Sequence, residues 1–339
     1  MKAAIVIAAG KTPIYGDFDK PLAKEGEEII SVRAAALSNL TKGRASGSHY
    51  SSTGIFPAVA GTDGVGLTQG GRRVYFAMPE APFGSLAEFC PINARRCIDI
   101  PDTLDDITAA AIANPGMSAW AALVERAHLV AGETVLVNGA TGTAGRVAVQ
   151  LAKYLGAAKV IATGRNAKEL EEIKQLGADS IIPFALDPAH PSGADEYEEA
   201  LKEVFSNGID VVIDYLWGES AKTAIVALAK TIEEKPVRFV QVGAVGGMNI
   251  ELPGAALRSA AITLMGSGIG SVSRKGLVQS IARIFEAVAP AGLKIATQAV
   301  PLASVETVWE KATGKPRVVF TIAKPKRLGT GFSPYIFFV

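Results

Sequence analysis

The stretch Thr134-Val-Leu-Val-Asn-Gly-Ala-Thr-Gly-Thr-Ala-Gly-Arg-Val-Ala-Val-Gln-Leu-Ala-Lys-Tyr-Leu-Gly156 decides the fold, because an apolar run passes through a glycine-rich turn into a helical pattern. Residues 134–137 are apolar or β-branched without alternation, which is typical of a strand buried on both faces of a parallel sheet. Val147, Leu151 and Leu155 recur at four-residue spacing and predict one apolar helix face. The stretch therefore predicts a strand, a tight turn and a helix.

Three glycines, Gly139, Gly142 and Gly145, lie between these two predicted elements. In a dinucleotide-binding turn, the missing side chains allow a sharp bend, a close approach of the backbone to a pyrophosphate, and close packing of the helix on its strand. Glycines in a strand-to-helix turn can also serve a steric purpose alone, without any bound ligand. The turn alone leaves both interpretations open.

The next predicted strand, Lys159–Thr163, ends in Gly164-Arg165-Asn166, about 20 residues after the glycines, where an NAD site places an Asp or Glu on the ribose hydroxyls. Here that acid is absent and an arginine is present. A guanidinium binds a 2′-phosphate that a carboxylate would repel. The sequence therefore predicts NADPH in preference to NADH, the alternative being that Arg165 is an ordinary solvated charge.

The composition is that of an ordinary globular protein: 339 residues, 49% hydrophobic and 20% charged, long enough for two domains. A formal charge of +1 gives no electrostatic reason to expect nucleic acid or an anionic membrane as a partner. Two cysteines, Cys90 and Cys97, cannot supply a disulfide framework or a four-thiolate zinc site, and we expect reduced thiols in the cytoplasm. We interpret residues 1–9 as a strand, and expect no membrane-spanning stretch.

The sequence pattern changes once along the chain. Residues 1 to about 114 contain short β runs separated by glycine and proline, which predicts a β-barrel-like domain. After about residue 105 we expect a helix capped by Asp105, an interruption at residues 114–116, and a second helix to residue 130. Strands and helices then alternate, which predicts a doubly wound parallel sheet. Its six strands are Thr134–Val137, Lys159–Thr163, Ser180–Phe184, Val211–Tyr215, Arg238–Gly243 and Ile262–Gly266.

This order of parts resembles the zinc-independent branch of the medium-chain dehydrogenase/reductase superfamily, the quinone oxidoreductase and zeta-crystallin group. The resemblance runs from residue 1 to about 323 and implies a six-stranded Rossmann sheet with a GroES-like catalytic domain. It divides the chain into a catalytic domain (1–115 and 275–339) and an NADPH-binding domain (116–274). The tail 324–339 has no assigned role. The markers are Asn39 with Tyr50, Gly61–Gly66, Gly71–Val74, Pro115–Trp120, the glycine turn and Val242–Ala244.

Zinc-containing relatives have a cysteine where this chain has Asn39, and a His-Glu pair where it has Thr62-Asp63. Asn and Thr are poor Zn²⁺ ligands beside thiolate and imidazole. The histidines, His49, His128 and His190, are far apart in sequence. The resemblance therefore implies a site without metal.

The resemblance also implies the site residues. Asn39, Thr41 and Tyr50 are the expected catalytic residues, with Thr41 matching the hydroxyl relay of zinc relatives. Two departures bear on this wall of the site: Lys42 replaces the usual Asp, and the segment 46–54 has an unusual length. The expected NADPH contacts are Ser118, Thr141, Gly142, Thr143, Ala144, Gly164, Arg165, Asn166, Leu216, Val242, Gly243, Ala244, Ser267 and Gly268.

We expect an NADPH-dependent reductase of quinones or α,β-unsaturated carbonyl compounds that acts by direct hydride transfer, because conjugation spreads the charge that zinc would otherwise neutralise. The alternatives are a zinc-independent enoyl-thioester reductase and a cofactor-binding protein with vestigial catalysis. A homodimer through the strand Ile262–Gly266 is expected from relatives. The physiological substrate and the proton donor stay open.

Overall fold

The structure is a computed structural model that describes residues 1–187 and 189–322. The predicted tail 324–339 lies outside these residues. The strands are β1 (Lys2–Val6), β2 (Ile14–Asp17), β3 (Glu27–Ala36), β4 (Ala58–Val59), β5 (Asp63–Leu67), β6 (Arg73–Ala77), β7 (Phe89–Asn93), β8 (Cys97–Asp99), β9 (Thr134–Asn138), β10 (Lys159–Gly164), β11 (Ser180–Pro183), β12 (Val211–Asp214), β13 (Val237–Gln241), β14 (Ile262–Gly266), β15 (Thr297–Pro301) and β16 (Arg317–Thr321).

The helices connect and cover these strands. They are α1 (Asn39–Ser46), α2 (Asp106–Trp120), α3 (Thr143–Tyr154), α4 (Ala167–Lys174), α5 (Gly193–Phe205), α6 (Gly218–Thr231), α7 (Ala256–Ser259), α8 (Arg274–Ala287) and α9 (Val305–Val308). Two 3-10 helices cover Ala94–Arg96 and Leu302–Ser304, and a π-helical segment covers Ala121–Arg126.

Six parallel strands form the central sheet in the order β11-β10-β9-β12-β13-β14. This is the doubly wound Rossmann order, in which the strand order reverses between β9 and β12. The inner strands are buried, as the unbroken apolar runs predict, whereas β14 is an edge strand and is partly exposed. The predicted Rossmann sheet is confirmed.

The front part of the chain forms two further sheets, one of order β2-β1-β4 and one of order β15-β16-β3-β5-β6-β8, with β7 also paired to β3. Their pairs are antiparallel except β15 with β16, which is parallel. The return segment thus adds β15 and β16 to the front sheet through β3. The predicted GroES-like domain beside the Rossmann sheet is confirmed.

Helix α1 was not expected in the front part, where the sequence predicts strands alone. Its composition is polar and includes Gly43, so the sequence shows no periodic apolar face that would predict a helix. Its ends are nevertheless well defined: the Ser38 hydroxyl accepts from the Thr41 N–H at 3.0 Å, and Gly47 ends it with φ 76°. Capping rather than amphipathicity sets this helix.

Helix α2 runs through Pro115 without the predicted interruption and continues as the π-helical segment to Arg126. Pro115 has no backbone N–H, so α2 lacks one hydrogen-bond donor at this position. Residues before and after Pro115 in the helix are buried, and the free energy of that packing offsets the missing hydrogen bond. Residues 106–126 are long and apolar enough to cross a membrane by those two criteria, contrary to our expectation, but 61% of the apolar window is buried inside the protein. That burial is typical of a core helix.

The position of α2 explains its composition. One apolar cluster contains Ala110 and Ile112 from α2, Val65 and Tyr75 from the front sheet, and Val135 from the Rossmann sheet. Helix α2 therefore packs between the two parts of the molecule and joins their cores, and the same cluster holds Ile281 and Ile284 of α8.

Candidate active site

The glycine turn has three different local geometries. Gly139 has φ 86°, which an L side chain rarely adopts. A Cβ on Gly145 would overlap the carbonyl oxygen of Gly139 and lie 2.7 Å from the Cα of Ala140, so this glycine lets α3 pack closely on β9. A Cβ on Gly142 would meet only the Gly139 oxygen, at 3.5 Å. Gly142 is the residue that leaves space for a ligand above the N-terminus of α3.

The predicted cofactor residues lie at the carboxyl edge of the Rossmann sheet, where parallel strands all end. Residues 141–144 follow β9, residues 164–166 end and follow β10, Leu216 follows β12, residues 242–244 follow β13, and residues 267–268 follow β14. Leu216 also packs against Gly139. Ligands bind in doubly wound sheets at this edge, near the point where the strand order reverses.

An open pocket of about 630 Å³ lies beside the glycine turn, at the carboxyl end of β10 and the N-terminal end of α4. Its cationic residues are Arg165, Lys168 and Lys315, and its one carboxylate is Glu169. Glu169 is neutralised, since it pairs with Lys315 and lies 3.5 Å from Arg146, and these cations lower its pKa against the effect of burial. The pocket therefore offers positive charge to a ligand, with Arg165 exposed.

The floor of the switch point is a buried polar network. The Asn138 side chain donates to Asp214 Oδ1 at 2.8 Å, and the N–H groups of Leu216 and Trp217 donate to the same carboxylate at 3.0 and 3.0–3.2 Å. Burial raises the pKa of Asp214 to about 6, although these donors oppose the rise. Asp214 fixes the turn that holds Leu216 near the glycine turn.

Tyr215, which follows Asp214, carries a buried hydroxyl group. The Tyr215 hydroxyl is buried and makes no well-formed hydrogen bond with the described residues, although Ser118 is close to it. Gly243 packs on the Tyr215 backbone, where a Cβ would lie 2.6 Å from the carbonyl oxygen. The structure thus brings two predicted residues to Tyr215, Ser118 near its hydroxyl and Gly243 against its backbone.

The front domain contains a row of buried hydroxyls. Thr41 Oγ1 lies 3.0 Å from Ser38 Oγ and 3.1 Å from Thr62 Oγ1. Thr41 and Thr62 line a cavity of about 60 Å³ with the half-buried Arg44 and apolar residues that include Phe56. Burial lowers the pKa of Arg44. The cavity therefore combines apolar residues with the guanidinium of Arg44 and three threonines, Thr41, Thr62 and Thr53.

Behind the hydroxyls lies Asp63, which is 2% exposed. Thr62 Oγ1 donates to Asp63 Oδ1 at 2.6 Å, and the Tyr75 hydroxyl donates to Asp63 Oδ2 at 3.0 Å. Burial raises the pKa of Asp63, while Thr62, the nearby Arg317 and Tyr75 oppose the rise. Arg317 is itself buried, and its Nε and Nη2 have no hydrogen-bond partner in the described chain.

The other two predicted catalytic residues are placed differently from Thr41. Asn39 is exposed at the first position of α1. Tyr50 is 73% exposed, its ring lies 4.2 Å from the ring of His49, and its hydroxyl accepts from the Ile269 N–H at 3.3 Å. Tyr50 thereby contacts the loop after β14, next to the predicted cofactor residue Gly268.

The sequence interpretation missed several residues of this region. Lys168 follows Arg165 by three residues and could have been found from that spacing. Lys315 has no local signal, because only the fold brings it to the pocket. Arg44 and Tyr215 likewise lie in sequence without a distinguishing motif. Among residues 1–187 and 189–322, no three His, Cys, Asp or Glu side chains cluster as a metal site.

Comparison with known proteins adds the family. A family model described as "Zinc-binding dehydrogenase" matches residues 144–286. The "Probable NADPH-dependent quinone reductase tdiC" of Emericella nidulans is 26% identical over 91% of this chain and 96% of its own length. A mycobacterial quinone oxidoreductase structure superposes with a TM-score of 0.81 at 21% identity, covering 95% of this chain and 99% of that one. In sequence and in fold the chain is therefore similar to quinone oxidoreductases of the medium-chain dehydrogenase/reductase superfamily.

A second solved structure has the same architecture as this chain. The quinone oxidoreductase of Thermus thermophilus, solved also as its complex with NADPH, superposes with a TM-score of 0.76 at 23% identity over 95% of this chain and all (100%) of the other. At these identities the superpositions establish the fold. The matched family model begins after Thr41 and Thr62, so its description says nothing about the residues of that cavity.

Proposed function

We propose that this medium-chain dehydrogenase/reductase is an NADPH-dependent reductase of quinones or α,β-unsaturated carbonyl compounds. The observation that carries the proposal is the pocket of Arg165, Lys168 and Lys315 beside the glycine turn, at the ribose position of a Rossmann sheet. Lys315 neutralises the carboxylate of Glu169, so Arg165 and Lys168 leave the pocket with a positive charge that suits a 2′-phosphate and gives NADH no equivalent contact. The relatives named for NADPH support the same coenzyme.

The residues present fit this coenzyme at each of its parts. Gly142 and the N-terminus of α3 would hold the pyrophosphate, because backbone N–H groups there are free to bind an anion. Arg165, Lys168 and Lys315 would hold the 2′-phosphate. The unpartnered Tyr215 hydroxyl, with Ser118 and residues 242–244, would face the nicotinamide. NADPH supplies a hydride when it is bound.

The small cavity suits the other side of the reaction. When a conjugated carbonyl accepts hydride, negative charge grows on its oxygen, and donors that already point to that place lower the barrier. Thr41, Thr62 and the Arg44 guanidinium line the cavity, and its remaining wall is largely apolar. We propose that these groups receive the carbonyl end of the acceptor, with the exposed Asn39 and Tyr50 at the entrance.

The experiment that tests the function follows NADPH oxidation, at the reduced-nicotinamide absorbance band, with 1,4-benzoquinone, 2-cyclohexenone and crotonyl-CoA. Turnover with quinone or enone is expected. Turnover with crotonyl-CoA alone would favour the enoyl-thioester reductase. Tight NADPH binding without turnover of any acceptor would overturn the proposal in favour of a cofactor-binding protein.

We also propose that the reaction needs no zinc, since Asn39 and Thr62 are poor ligands for it. Activity that survives dialysis against a chelator is expected, and activity lost to the chelator and restored by Zn²⁺ would refute this part.

The coenzyme-binding unit is proposed as residues 116–274 and the catalytic unit as 1–115 with 275–339. Helix α2 crosses the first of these boundaries.

A homodimer and a cytoplasmic location complete the proposal. Strand β14 is one of the two edge strands of the Rossmann sheet, and Leu264 on it is 37% exposed. An unpaired edge with apolar side chains is suited to pairing with a second copy. Cys90 and Cys97 are both free thiols, which fits a reducing compartment.

A further inference from the structure

The row Ser38, Thr41, Thr62 and Asp63 forms one unbroken hydrogen-bonded chain from the cavity wall to a buried carboxyl group. Its links are 3.0 Å (Ser38 to Thr41), 3.1 Å (Thr41 to Thr62) and 2.6 Å (Thr62 to Asp63). All four residues are buried, whereas only the two threonines line the cavity. The chain therefore connects an inaccessible acid to the place proposed for the acceptor oxygen.

The protonation state of Asp63 sets the direction of every bond in this chain. An ionised carboxylate only accepts, so Thr62 must donate its single proton to Asp63, Thr41 must donate to Thr62, and Ser38 to Thr41. In that state neither threonine has a proton for a ligand in the cavity. When Asp63 is protonated it donates to Thr62, and the threonine protons can turn toward the cavity.

We propose that Asp63 is the internal proton source of the reductase and delivers its proton to the acceptor through Thr62 and Thr41. This inference rests on the proposed function. Hydride adds to the acceptor and leaves an enolate or phenolate in the cavity. A threonine O–H then protonates this anion, while the Asp63 O–H breaks and restores the threonine hydroxyl, so that Asp63 ends as a carboxylate. After product leaves, water in the open cavity returns one proton along the same chain.

The surroundings of Asp63 suit both states. Burial raises its pKa and so favours a held proton. Once the proton has left, the Tyr75 hydroxyl and the nearby guanidinium of Arg317 stabilise the carboxylate. These groups, with Thr62, are the polar and charged groups acting on Asp63. A proton source that could not bear its own charge would not release the proton.

The decisive variant is Thr62→Val, which keeps the side-chain shape and removes the hydroxyl that links Asp63 to Thr41. Thr62→Ser restores a hydroxyl, and Thr223→Val is a matched control, since Thr223 is equally buried but bonds only to Glu219 O in α6. With 2-cyclohexenone, Thr62→Val should lower kcat about 100-fold, as expected for loss of a general acid, with KM for NADPH within about twofold. Thr62→Ser should recover most of the kcat that Thr62→Val loses, because it restores the hydroxyl, and the Thr223→Val control should stay near wild type.

Two readouts separate a proton relay from a structural role. The wild-type kcat should fall as pH rises through the titration of Asp63, and should decrease in deuterated water. Thr62→Val should lose both dependences. In the protein without coenzyme, NMR of ¹³C-carboxyl aspartate, assigned with Asp63→Asn, should show Asp63 titrating above its ordinary value of 3.8. That pKa should rise further in Thr62→Val, because a donor to the carboxylate is lost.

Each result of these experiments either supports or overturns the relay, the proposed function or both. A Thr62→Val enzyme with the wild-type pH profile and solvent isotope effect overturns the relay and leaves the proposed function standing. An Asp63 that ionises at or below its ordinary pKa overturns the relay whether or not any acceptor turns over. A wild-type protein that binds NADPH and reduces no quinone or enone overturns the proposed function and the relay together.

Discussion

Replacing Arg165 by alanine should change coenzyme choice far more than coenzyme binding in general. Arg165 is exposed at the end of β10 and lines the pocket with Lys168 and Lys315. A hydrogen bond to a charged group contributes about 1.5–3 kcal/mol, and an exposed site belongs at the lower end of that range. The dissociation constant for NADPH should therefore rise roughly 10-fold, while that for NADH changes less than about twofold.

The assay is a fluorescence or calorimetric titration of both coenzymes at two salt concentrations. The NADPH preference of the wild type should shrink between about 0.1 M and 1 M salt, because the Debye length falls from about 10 Å to about 3 Å. Arg283→Ala is the control, since Arg283 is an exposed arginine of α8 paired with Glu286. Equal weakening of NADPH and NADH by Arg165→Ala would refute the assignment of this pocket.

Three further predictions concern the turn, the switch point and the edge strand. Gly145→Ala should lower the free energy of unfolding by about 1–3 kcal/mol, because its Cβ meets backbone, whereas Gly142→Ala should keep the melting temperature and weaken NADPH binding. Burial raises the pKa of Asp214 from 3.8 to about 6, so its contribution to stability is present at low pH and is lost as pH rises through about 6. In urea titrations between about pH 5 and pH 8 the wild type should lose about 1–2 kcal/mol that Asp214→Asn does not lose, and parallel pH profiles would contradict this. Leu264→Lys should give a monomer in light scattering if β14 forms the proposed dimer; an unchanged mass would remove that contact.

The Rossmann sheet could be predicted from sequence because its signals are local. Residues 134–137 and 159–163 are continuous apolar runs, which predict buried strands. The glycine turn lies between the first of these strands and a helix with a periodic apolar face. Each of these elements can therefore be predicted from a short stretch of sequence. Helix α1 could not be predicted in this way, since its polar composition gives no periodic face and its ends depend on Ser38 and Gly47. The continuity of α2 through Pro115 depends on burial by other elements, which no local pattern contains.

The candidate site shows the same division. The position of Arg165 could be predicted from its distance to the glycines, because both belong to one strand-helix-strand unit, β9-α3-β10. The contact between Thr41 and Thr62 joins a residue of α1 to the residue just before β5, and the contact of Lys315 with Glu169 joins residues 146 positions apart. Such contacts follow from the whole topology, so the side chains that complete the pocket and the hydroxyl row are visible only in the folded molecule.

The pairing of Glu169 with Lys315 has a consequence for the order in which the site is completed during synthesis. A nascent chain that has released only the first 274 residues already contains the glycine turn and Arg165, but its Glu169 has Arg146 as its cationic partner and still lacks Lys315. The adenosine side then carries a less compensated negative charge. If this pocket binds the 2′-phosphate as we propose, selection of the phosphorylated coenzyme is among the last properties that the growing polypeptide acquires, when its return segment leaves the ribosome and reaches α4.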